Sequence, residues 1–314
     1  MIKNILLILL SVLVFVSCSA EIISPSSNSS INGGGGGIVP TEEELIAKYG
    51  IDIGLEDSII SRKIEENLKS YYEEMGSYRV IFTGTPKDYM GGAESISILI
   101  VKSAVKINNA KNIDVDIRNI DFKNGSINEM MFSGETISDD IILNFIFQNN
   151  QIKIIESMAF MNLGNIKQIT IPNSVTMIGE YGFVYCYQLE RLEFENGIQT
   201  IWASSFLVAE KLKELIIPDT VKSIEAESLG NCGLTELIIP ASVTSIGDYS
   251  FVSSINLTAL IYLGKTPNDV TTVGKNIFYG CDKLTTLIIP NADNPNDPAW
   301  KTFLGANFTT VKKQ

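Results

Sequence analysis

The sequence predicts an α/β protein in which an N-terminal α/β cap precedes a solenoid of about six to seven coils, each of about 23 residues. One observation is a motif of Ile, Gly or a substitute, three variable residues, and Phe or Leu. It begins at residues 155, 178, 201, 224, 246 and 273, so that successive copies start 23, 23, 23, 22 and 27 residues apart. Another is a helix, strand, helix, strand pattern before the first copy. A stack of similar coils offers a long surface to a partner rather than a closed site for chemistry.

The composition argues against several classes of function. The 314 residues carry a formal charge of −12 and no basic cluster, which disfavours nucleic acid and anionic lipid as partners. Histidine is absent from the chain, which removes the usual general base and the commonest transition-metal ligand. We therefore expect no enzyme, no catalytic residue, no metal and no cofactor.

The N-terminus has the pattern of an export signal over residues 1–17. An apolar run over residues 5–16 is too short to span a bilayer comfortably and is typical of a secretory signal. The sequence Phe15-Val16-Ser17-Cys18 resembles a bacterial lipobox, with Phe15 where Leu is usual. The resemblance implies cleavage before Cys18, lipidation of Cys18 and, from Ser19, sorting to the outer membrane. The alternative is a secreted protein with a free cysteine near its start.

Residues 18–40 form the next predicted segment, which contains many Ser and Asn residues and the run Gly33 to Gly37. Such a composition cannot bury enough apolar surface to offset chain entropy, so it predicts a flexible tether. A random coil of this length spans about 25 Å.

Residues 41–140 are predicted to form the α/β cap that shields the first coil. Thr41 and Glu44 form a capping-box pattern, and Gly50 suits the end of a short helix. Apolar spacing then predicts two rounds of helix and strand with parallel pairing. The apolar positions are Ile60, Ile64, Leu68, Tyr72 and Met75, then Tyr78, Val80 and Phe82, then Ile96, Ile100, Ala104 and Ile107, then Ile113, Val115 and Ile117.

Three carboxylates of this cap, Asp114, Asp116 and Asp121, are close in sequence. Neighbouring carboxylates can bind a metal or act as acid and base. However, Asp114 and Asp116 lie on one face of a strand whose other face is apolar, which is typical of a half-buried strand with a solvated face. We favour the solvated face.

Each period of the repeat also contains a strand signature, such as Leu234-x-x-Leu237-x-Ile239-Pro240. Its last two apolar positions point into the coil, and proline ends the strand because it lacks an N–H. Sequences such as Leu237 to Phe251 resemble the BspA-like, treponemal-type leucine-rich repeats. The resemblance covers about Ile142 to the C-terminus, and it implies a leucine-rich-repeat domain over residues 141–314.

Cys186, Cys232 and Cys281 each follow the recurring Phe or Leu of their repeat by three residues. They should therefore occupy the same place on different coils. Cys-x-x-Cys spacing is missing, and cysteines two coils apart are too distant for a disulfide. We expect small, buried, apolar side chains.

The strand residue between the two inward positions should face outwards, and four of the six are isoleucines. This apolar stripe is a candidate partner-binding surface. The alternative is the ordinary preference of branched residues for a parallel ladder. Trp202 is a candidate aromatic anchor, or else packs on a neighbouring coil. The stripe comprises Thr170, Glu193, Ile216, Ile238, Ile261 and Ile288.

The end of the chain departs from the repeat. The coil containing Leu229 to Leu234 is one residue shorter than its counterparts, and residues 265–269 should loop out. After a turn cluster rich in Asn, Asp and Pro, we expect Trp300, Phe303 and Leu304 to fold over the last coil as a short helical lid.

The resemblance implies the function, because known members of the family include surface proteins and adhesins. We expect a lipid-anchored, cell-surface protein of the outer membrane that touches the membrane only through Cys18. Its partner would be a protein, with host matrix proteins or other cells as the expected targets. The alternative is a periplasm-facing scaffold lipoprotein that binds partners within the envelope.

Overall fold

The computed structural model describes residues 39–107, 110–135, 138, 140–148 and 150–313. The predicted signal peptide, the lipidation site Cys18 and the tether up to residue 38 lie outside these residues. Among the helices that the structure describes, none combines the length and the apolar character that crossing a membrane requires.

From residue 39 onwards, the described N-terminal part contains three α-helices and a parallel sheet. Its elements are α1 Glu42–Tyr49, β1 Gly50–Asp52, α2 Asp57–Met75, β2 Tyr78–Gly84, α3 Ile96–Val105, β3 Asn112–Ile120, a 3₁₀ turn Lys123–Gly125, β4 Ser126–Ile127 and β5 Ile142–Ile146. The sheet has the order β1-β2-β3-β5, and every neighbouring pair is parallel. The predicted order of helices and strands and their parallel pairing are confirmed.

One detail of this part differs from the prediction. Tyr72 of α2 is 46% exposed, and Tyr71 is buried in its place, because the buried face follows Ile60, Ile64 and Leu68 at helical spacing. Gly50 directly follows the last residue of α1, as expected, and it also begins β1. Its lack of a side chain matters because a Cβ there would lie 2.5 Å from the backbone oxygen of Ile46.

Short and long strands alternate along the rest of the chain. The two-residue strands are β6 Ile154–Ile155, β8 Met177–Ile178, β10 Thr200–Ile201, β12 Ser223–Ile224, β14 Ser245–Ile246 and β16 Thr272–Val273. The longer strands are β7 Gln168–Ile171, β9 Arg191–Phe194, β11 Glu214–Ile216, β13 Glu236–Ile239, β15 Ala259–Tyr262, β17 Thr286–Ile288 and β18 Thr310–Lys312. All of their pairings are parallel, which confirms the predicted solenoid.

One short strand, one turn segment and one long strand make a coil, so that coil 1 begins with β4 and coil 7 with β16. The turn segment is the seven residues after each short strand of coils 2–7, namely 156–162, 179–185, 202–208, 225–231, 247–253 and 274–280. Its third and seventh residues adopt the left-handed conformation, with φ between 51° and 78°. This geometry turns backbone N–H groups towards the next coil. The N–H of Phe160, for example, donates to the backbone oxygen of Gly182 at 2.8 Å.

Coil 1 joins the N-terminal sheet to the stack. Its short strand β4 pairs with β6 of coil 2, whereas its long strand β5 pairs with β3 of the N-terminal sheet. Strands on either side of the predicted boundary at residues 140 and 141 are therefore hydrogen-bonded to each other. Coil 1 begins inside the segment predicted as the cap, with Ile127 and Phe132 at the spacing of the repeat motif.

Within coils 2–7 the strand ladders are interrupted at two places. The long strands form the sheets β7-β9-β11 and β13-β15-β17-β18, and the short strands form β4-β6-β8 and β10-β12-β14-β16. The long ladder thus breaks between coils 4 and 5, beside the shortened coil, and the short ladder breaks between coils 3 and 4. Turn-segment hydrogen bonds cross both places, from Phe206 to Ser228 at 2.9 Å and from Phe183 to Ser205 at 2.8 Å.

The predicted aromatic lid packs against Tyr262 of β15, in coil 6. Trp300, Phe303 and Leu304 lie in a 3₁₀ segment, Pro298–Gly305, and all three are buried. The ring of Phe303 lies 4.7 Å from that of Tyr262. The predicted burial of these three side chains in a short helical segment is confirmed, whereas the strand β18, which pairs with β17 of coil 7, was not predicted. Val273, by contrast, is exposed although it occupies an inward position of the motif, because β16 is the last strand of its ladder.

Candidate interaction surface

The strand face is the outward side of the long strands, and it places the predicted stripe in register. Thr170 pairs with Glu193, and Glu193 pairs with Ile216 across β7, β9 and β11. Ile238 pairs with Ile261, and Ile261 pairs with Ile288 across β13, β15 and β17. The break between β11 and β13 divides the stripe into these two halves.

The two halves differ in accessibility. Thr170 and Ile216 are exposed, and Ile216 is 38% accessible because β11 is the last strand of its sheet. Ile261 and Ile288 are buried, at 8% and 4% exposure. Each lies between paired neighbours on both sides, and branched side chains on adjacent strands cover one another. The expectation that these two isoleucines are available to a partner is therefore corrected.

A charged row lies beside the accessible half of the stripe. The guanidinium of Arg191 pairs with the carboxylates of Glu193 at 3.0 Å and of Glu214. Hydrogen bonds to these two carboxylates raise the pKa of Arg191, although partial burial opposes the effect. Gln168 and Glu214 are exposed on either side of the pair. The accessible part of the strand face is thus polar and charged around one isoleucine, Ile216.

A shallow groove opens where β5 and β7 meet without pairing. It has a volume of about 480 Å³, and its lining carries charges of both signs. The residues on it are Asn112, Ile142, Asn144, Lys167, Gln168, Glu190, Arg191, Lys213 and Glu214. The lining alternates in charge along the coils and converges on no single point, so the groove belongs to the strand face rather than forming a separate pocket.

Trp202 does not lie on the strand face. It follows β10 as the first residue of a turn segment, in a different ladder from the long strands, and it is 38% exposed. Three other coils have glycine at this position, and the glycines touch the preceding coil. A Cβ on Gly179, for instance, would lie 2.4 Å from the backbone nitrogen of Ser157. The structure therefore separates Trp202 from the six stripe residues.

The three carboxylates of the N-terminal sheet have three different environments, which corrects the expected solvated face. Asp121 is exposed, and Asp114 is half-buried and accepts a hydrogen bond from the amide of Asn144 at 3.2 Å. Asp116 is fully buried between two guanidinium groups. Helix α1 covers this side of the sheet, since Leu45 packs with Ile81, the residue paired with Asp116.

The charge of Asp116 is balanced within the fold. Burial alone would raise the pKa of this carboxyl, but hydrogen bonds from Arg118 and Arg79 outweigh burial and lower its pKa. Arg118 donates from Nε and Nη2, both at 2.9 Å, and Arg79 donates from its own Nη2. Arg79 also pairs with Glu42 of α1. An Asp held ionised between two arginines is suited to fastening α1 to the sheet, and neither proton transfer nor metal binding follows from it.

The three cysteines of the repeats occupy equivalent buried positions, as predicted, and are free thiols. The thiol of Cys186 donates to the backbone oxygen of Phe160 at 3.3 Å, and that of Cys281 to the backbone oxygen of Phe251 at 3.2 Å. Burial raises the pKa of Cys186 and Cys232 to about 12. These thiols therefore serve in packing, since a reactive thiol needs a depressed pKa and solvent access.

The repeats resemble those of known proteins. A family model described as a BspA type leucine-rich repeat region, in six copies, matches residues 126–258 and 264–311, which is more than half of the chain. The chain belongs to the BspA-type leucine-rich repeat family. The match begins at residue 126, where β4 opens coil 1. Proteins of this repeat class generally act through protein–protein contacts.

Solved structures similar to this BspA-type chain include three bacterial leucine-rich repeat proteins. One, from T. pallidum, is 25% identical, with a TM-score of 0.42 over 47% of this chain and 67% of that chain. Another, from Bacteroides ovatus, is 21% identical, with a TM-score of 0.39 over 57% and 55%. A leucine-rich cell surface protein from Faecalibacterium prausnitzii is 19% identical, with a TM-score of 0.42 over 57% and 55%. The chain thus spans about half the length of the last two. No curated protein matches the chain.

Proposed function

We propose that this BspA-type protein is a cell-surface lipoprotein whose repeats bind a protein partner, with adhesion to host matrix proteins or other cells as the outcome. The observation behind the proposal is the strand face, which presents rows of accessible polar, charged and apolar side chains in register over coils 2–4. A parallel ladder of this kind holds its side chains rigidly, which reduces the entropy lost on binding. The lipobox-like sequence ending at Cys18 supports the anchor.

The accessible half of the strand face is where we propose that the partner binds. Ile216 supplies an apolar contact on the last strand of this half, and Glu193, Arg191 and Thr170 provide hydrogen-bonding groups on the strands to one side of it. Protein interfaces usually combine apolar contacts with neighbouring polar groups. Ile261 and Ile288 contribute to the stability of the ladder instead.

The first experiment tests the location. Intact cells are treated with a protease, and the loss of the repeats is followed with an antibody, while a periplasmic protein serves as the control for leakage. Rapid loss with an intact control supports surface exposure. Full protection would contradict adhesion and favour the alternative, a scaffold lipoprotein that binds partners within the periplasm.

The second experiment tests the surface. Purified protein is applied to immobilised matrix proteins, and binding is compared between the native chain and the Ile216→Asp variant. We expect Ile216→Asp to weaken binding at least tenfold, because a carboxylate would replace the apolar centre of the interface. Thr286→Asp is the matched control, since Thr286 lies on β17, away from the accessible half. Equal binding by both variants and the native chain would overturn the assignment of the strand face.

A further inference from the structure

The turn segments of coils 2–7 form a second continuous surface, here called the turn face. Inter-coil hydrogen bonds stack equivalent residues directly above one another, as in the bonds from Tyr249 to Lys275 at 3.0 Å and from Phe251 to Ile277 at 3.0 Å. Five aromatic side chains of this face are between 37% and 66% exposed. They are Tyr181, Tyr185, Trp202, Tyr249 and Tyr279. Aromatic side chains exposed on one surface are characteristic of binding sites.

The charge of the turn face is mostly negative. Its segments contain five acidic residues and one basic residue, Lys275. The acidic residues are Glu156, Glu180, Glu225, Glu227 and Asp248. The ion pairs found among the described residues all lie in the N-terminal part or on the strand face. The carboxylates of the turn face are therefore not neutralised by a cation of the same chain within the part that the structure describes.

The aromatic and acidic side chains are interleaved along the stack. The third position of the turn segment is occupied in successive coils by Tyr181, Ser204, Glu227, Tyr249 and Asn276. All of these residues are left-handed; Tyr181, Glu227 and Tyr249 are exposed, whereas Ser204 is buried. Neighbouring coils are one strand spacing apart, so Tyr181 and Tyr249 are separated by about 15 Å.

We propose that the turn face binds an extended, cationic segment of a partner protein, rich in Arg and Lys. Guanidinium and ammonium groups pair with the unneutralised carboxylates, and they also stack on the faces of Tyr and Trp rings through cation–π contacts. The chain from coil 3 to coil 7 rises by about 20 Å, which an extended segment of about six residues can follow. This surface is distinct from the strand face, so the proposal goes beyond the function proposed above.

The test uses a synthetic Arg/Gly peptide of about ten residues, labelled with a fluorophore, and measures its anisotropy on titration with the protein. We expect binding that weakens steeply with salt, because it depends on several exposed charges. A Glu/Gly peptide of the same length should not bind. The absence of binding by the cationic peptide at low salt would overturn the proposal.

Matched variants then separate the turn face from the net charge of the protein. The triple variant Glu180→Gln, Glu227→Gln, Asp248→Asn removes three exposed carboxylates from the turn face. We expect it to weaken binding of the cationic peptide at least tenfold. The control variant Glu190→Gln, Asp219→Asn, Glu236→Gln removes three exposed carboxylates from the side of the long strands, with the same change in charge. We expect less than a twofold effect. Equal losses in the two variants would show attraction by net charge alone and would contradict the proposal.

A further variant tests the aromatic contribution. In Tyr181→Asn, Tyr249→Asn the replacements fit the left-handed backbone, because Asn276 occupies the same position in coil 7 with φ of 54°. We expect a several-fold loss of affinity for the cationic peptide and an unchanged unfolding midpoint. Unchanged affinity would remove the cation–π part of the proposal. If the turn face does not bind the cationic peptide, the proposal for the strand face is unaffected, because Ile216→Asp tests that surface separately.

Discussion

At the scale of single residues, the ion pair around Asp116 is the most consequential feature of the N-terminal sheet. The carboxylate is fully buried, the Arg79 side chain is 12% exposed, and Glu42 of α1 completes the cluster. A buried charge is tolerated only where partners neutralise it. The cluster therefore links helix α1 to strands β2 and β3, which are distant from α1 in the sequence.

Removing the negative charge of Asp116 should lower the free energy of unfolding. In Asp116→Asn the charge of Arg79 loses its buried partner, and we expect a loss of about 3–5 kcal/mol in the free energy of unfolding. Asp114→Asn is the matched control, because Asp114 lies on the same strand but is half-buried with one hydrogen bond from Asn144, and it should cost about 1 kcal/mol. Urea denaturation measures both values. Similar costs for the two variants would argue against a special role for the buried pair.

The buried thiols predict a dependence of stability on alkaline pH. The pKa of Cys186 and Cys232 is raised to about 12 in the folded chain, whereas the unfolded thiol has a pKa of about 8.5. The unfolded chain thus loses its protons first, so the contribution of these thiols is complete below about pH 8.5 and is lost as pH rises towards about 12.

A double variant isolates this effect from other groups that titrate at high pH. Cys186→Ala, Cys232→Ala cannot ionise at either position, so its free energy of unfolding should fall less between about pH 8 and about pH 10.5 than that of the native chain. Urea denaturation at the two pH values provides the comparison. Parallel falls in the two proteins would mean that the thiols ionise equally well in the folded chain.

At the scale of the elements, each coil is joined to its neighbours by as many as three ladders of backbone hydrogen bonds. Where the short-strand ladder stops between β8 and β10, the long strands β9 and β11 still pair. Where the long-strand ladder stops between β11 and β13, the short strands β10 and β12 still pair. The third ladder, made of hydrogen bonds between turn segments and here called the turn ladder, crosses both places. No step between coils 2–7 depends on the turn ladder alone within the described residues.

The first position of the turn segment shows how closely the coils approach. Gly179, Gly247 and Gly274 occupy it in three coils, and a Cβ on Gly179 would lie 2.4 Å from Ser157 and 2.8 Å from Glu156. Because the contacted atoms belong to the backbone of coil 2, a methyl group there forces the two coils apart.

Gly179→Ala should therefore lower the free energy of unfolding by about 1–3 kcal/mol, the usual cost of overpacking. Glu225→Ala is the control, since coil 5 already accommodates a side chain at the same position and the change removes volume rather than adding it. Thermal or urea unfolding of the two variants measures the difference. A neutral Gly179→Ala would show that coils 2 and 3 separate freely.

At the scale of the whole molecule, the repeat motif predicts the architecture because it reports on the interior. Phe160, Phe183 and Phe206 recur at one coil spacing, and their rings stack at 4.7 Å and 5.1 Å. Such positions are set by burial, and burial leaves a periodic pattern in the sequence. The buried cysteines and the aromatic lid were predictable for the same reason.

Accessibility on the outside is less predictable, because it depends on neighbours that the local sequence does not specify. Ile216 and Ile261 have the same place in their coils, yet one ends a sheet and the other lies between two strands. The left-handed turn residues likewise include Tyr181 and Glu227, which give no local signal for that conformation. Coil 1 could have been found from Ile127 and Phe132, but its interval to the next copy is longer than the others.

We expect the interface between coils 4 and 5 to be weaker than the others. Between coils 4 and 5 the long-strand ladder is broken, and in coil 5 Leu229 replaces phenylalanine, so that it interrupts the aromatic stack between Phe206 and Phe251. In a repeat protein, stability is close to a sum of coil and interface terms. Opening should therefore occur preferentially at this interface, which would let coils 5–7 unfold separately from coils 1–4.

Hydrogen exchange in mild denaturant tests this directly. We expect the amides of coils 5–7 to share one free energy of opening and those of coils 2–4 to share another. The boundary between the two groups of amides should lie near residue 224.

Leu229→Ala should widen the difference between the two free energies of opening, because it removes apolar contact from the interface between coils 4 and 5. The expected cost is about 2–5 kcal/mol. Leu237→Ala is the control, since Leu237 is equally buried in the same coil and belongs to an intact ladder. It should destabilise coils 5–7 without changing where the groups meet. A single free energy of opening for all coils, in the native chain and in both variants, would show that the stack unfolds as one unit despite the broken ladder.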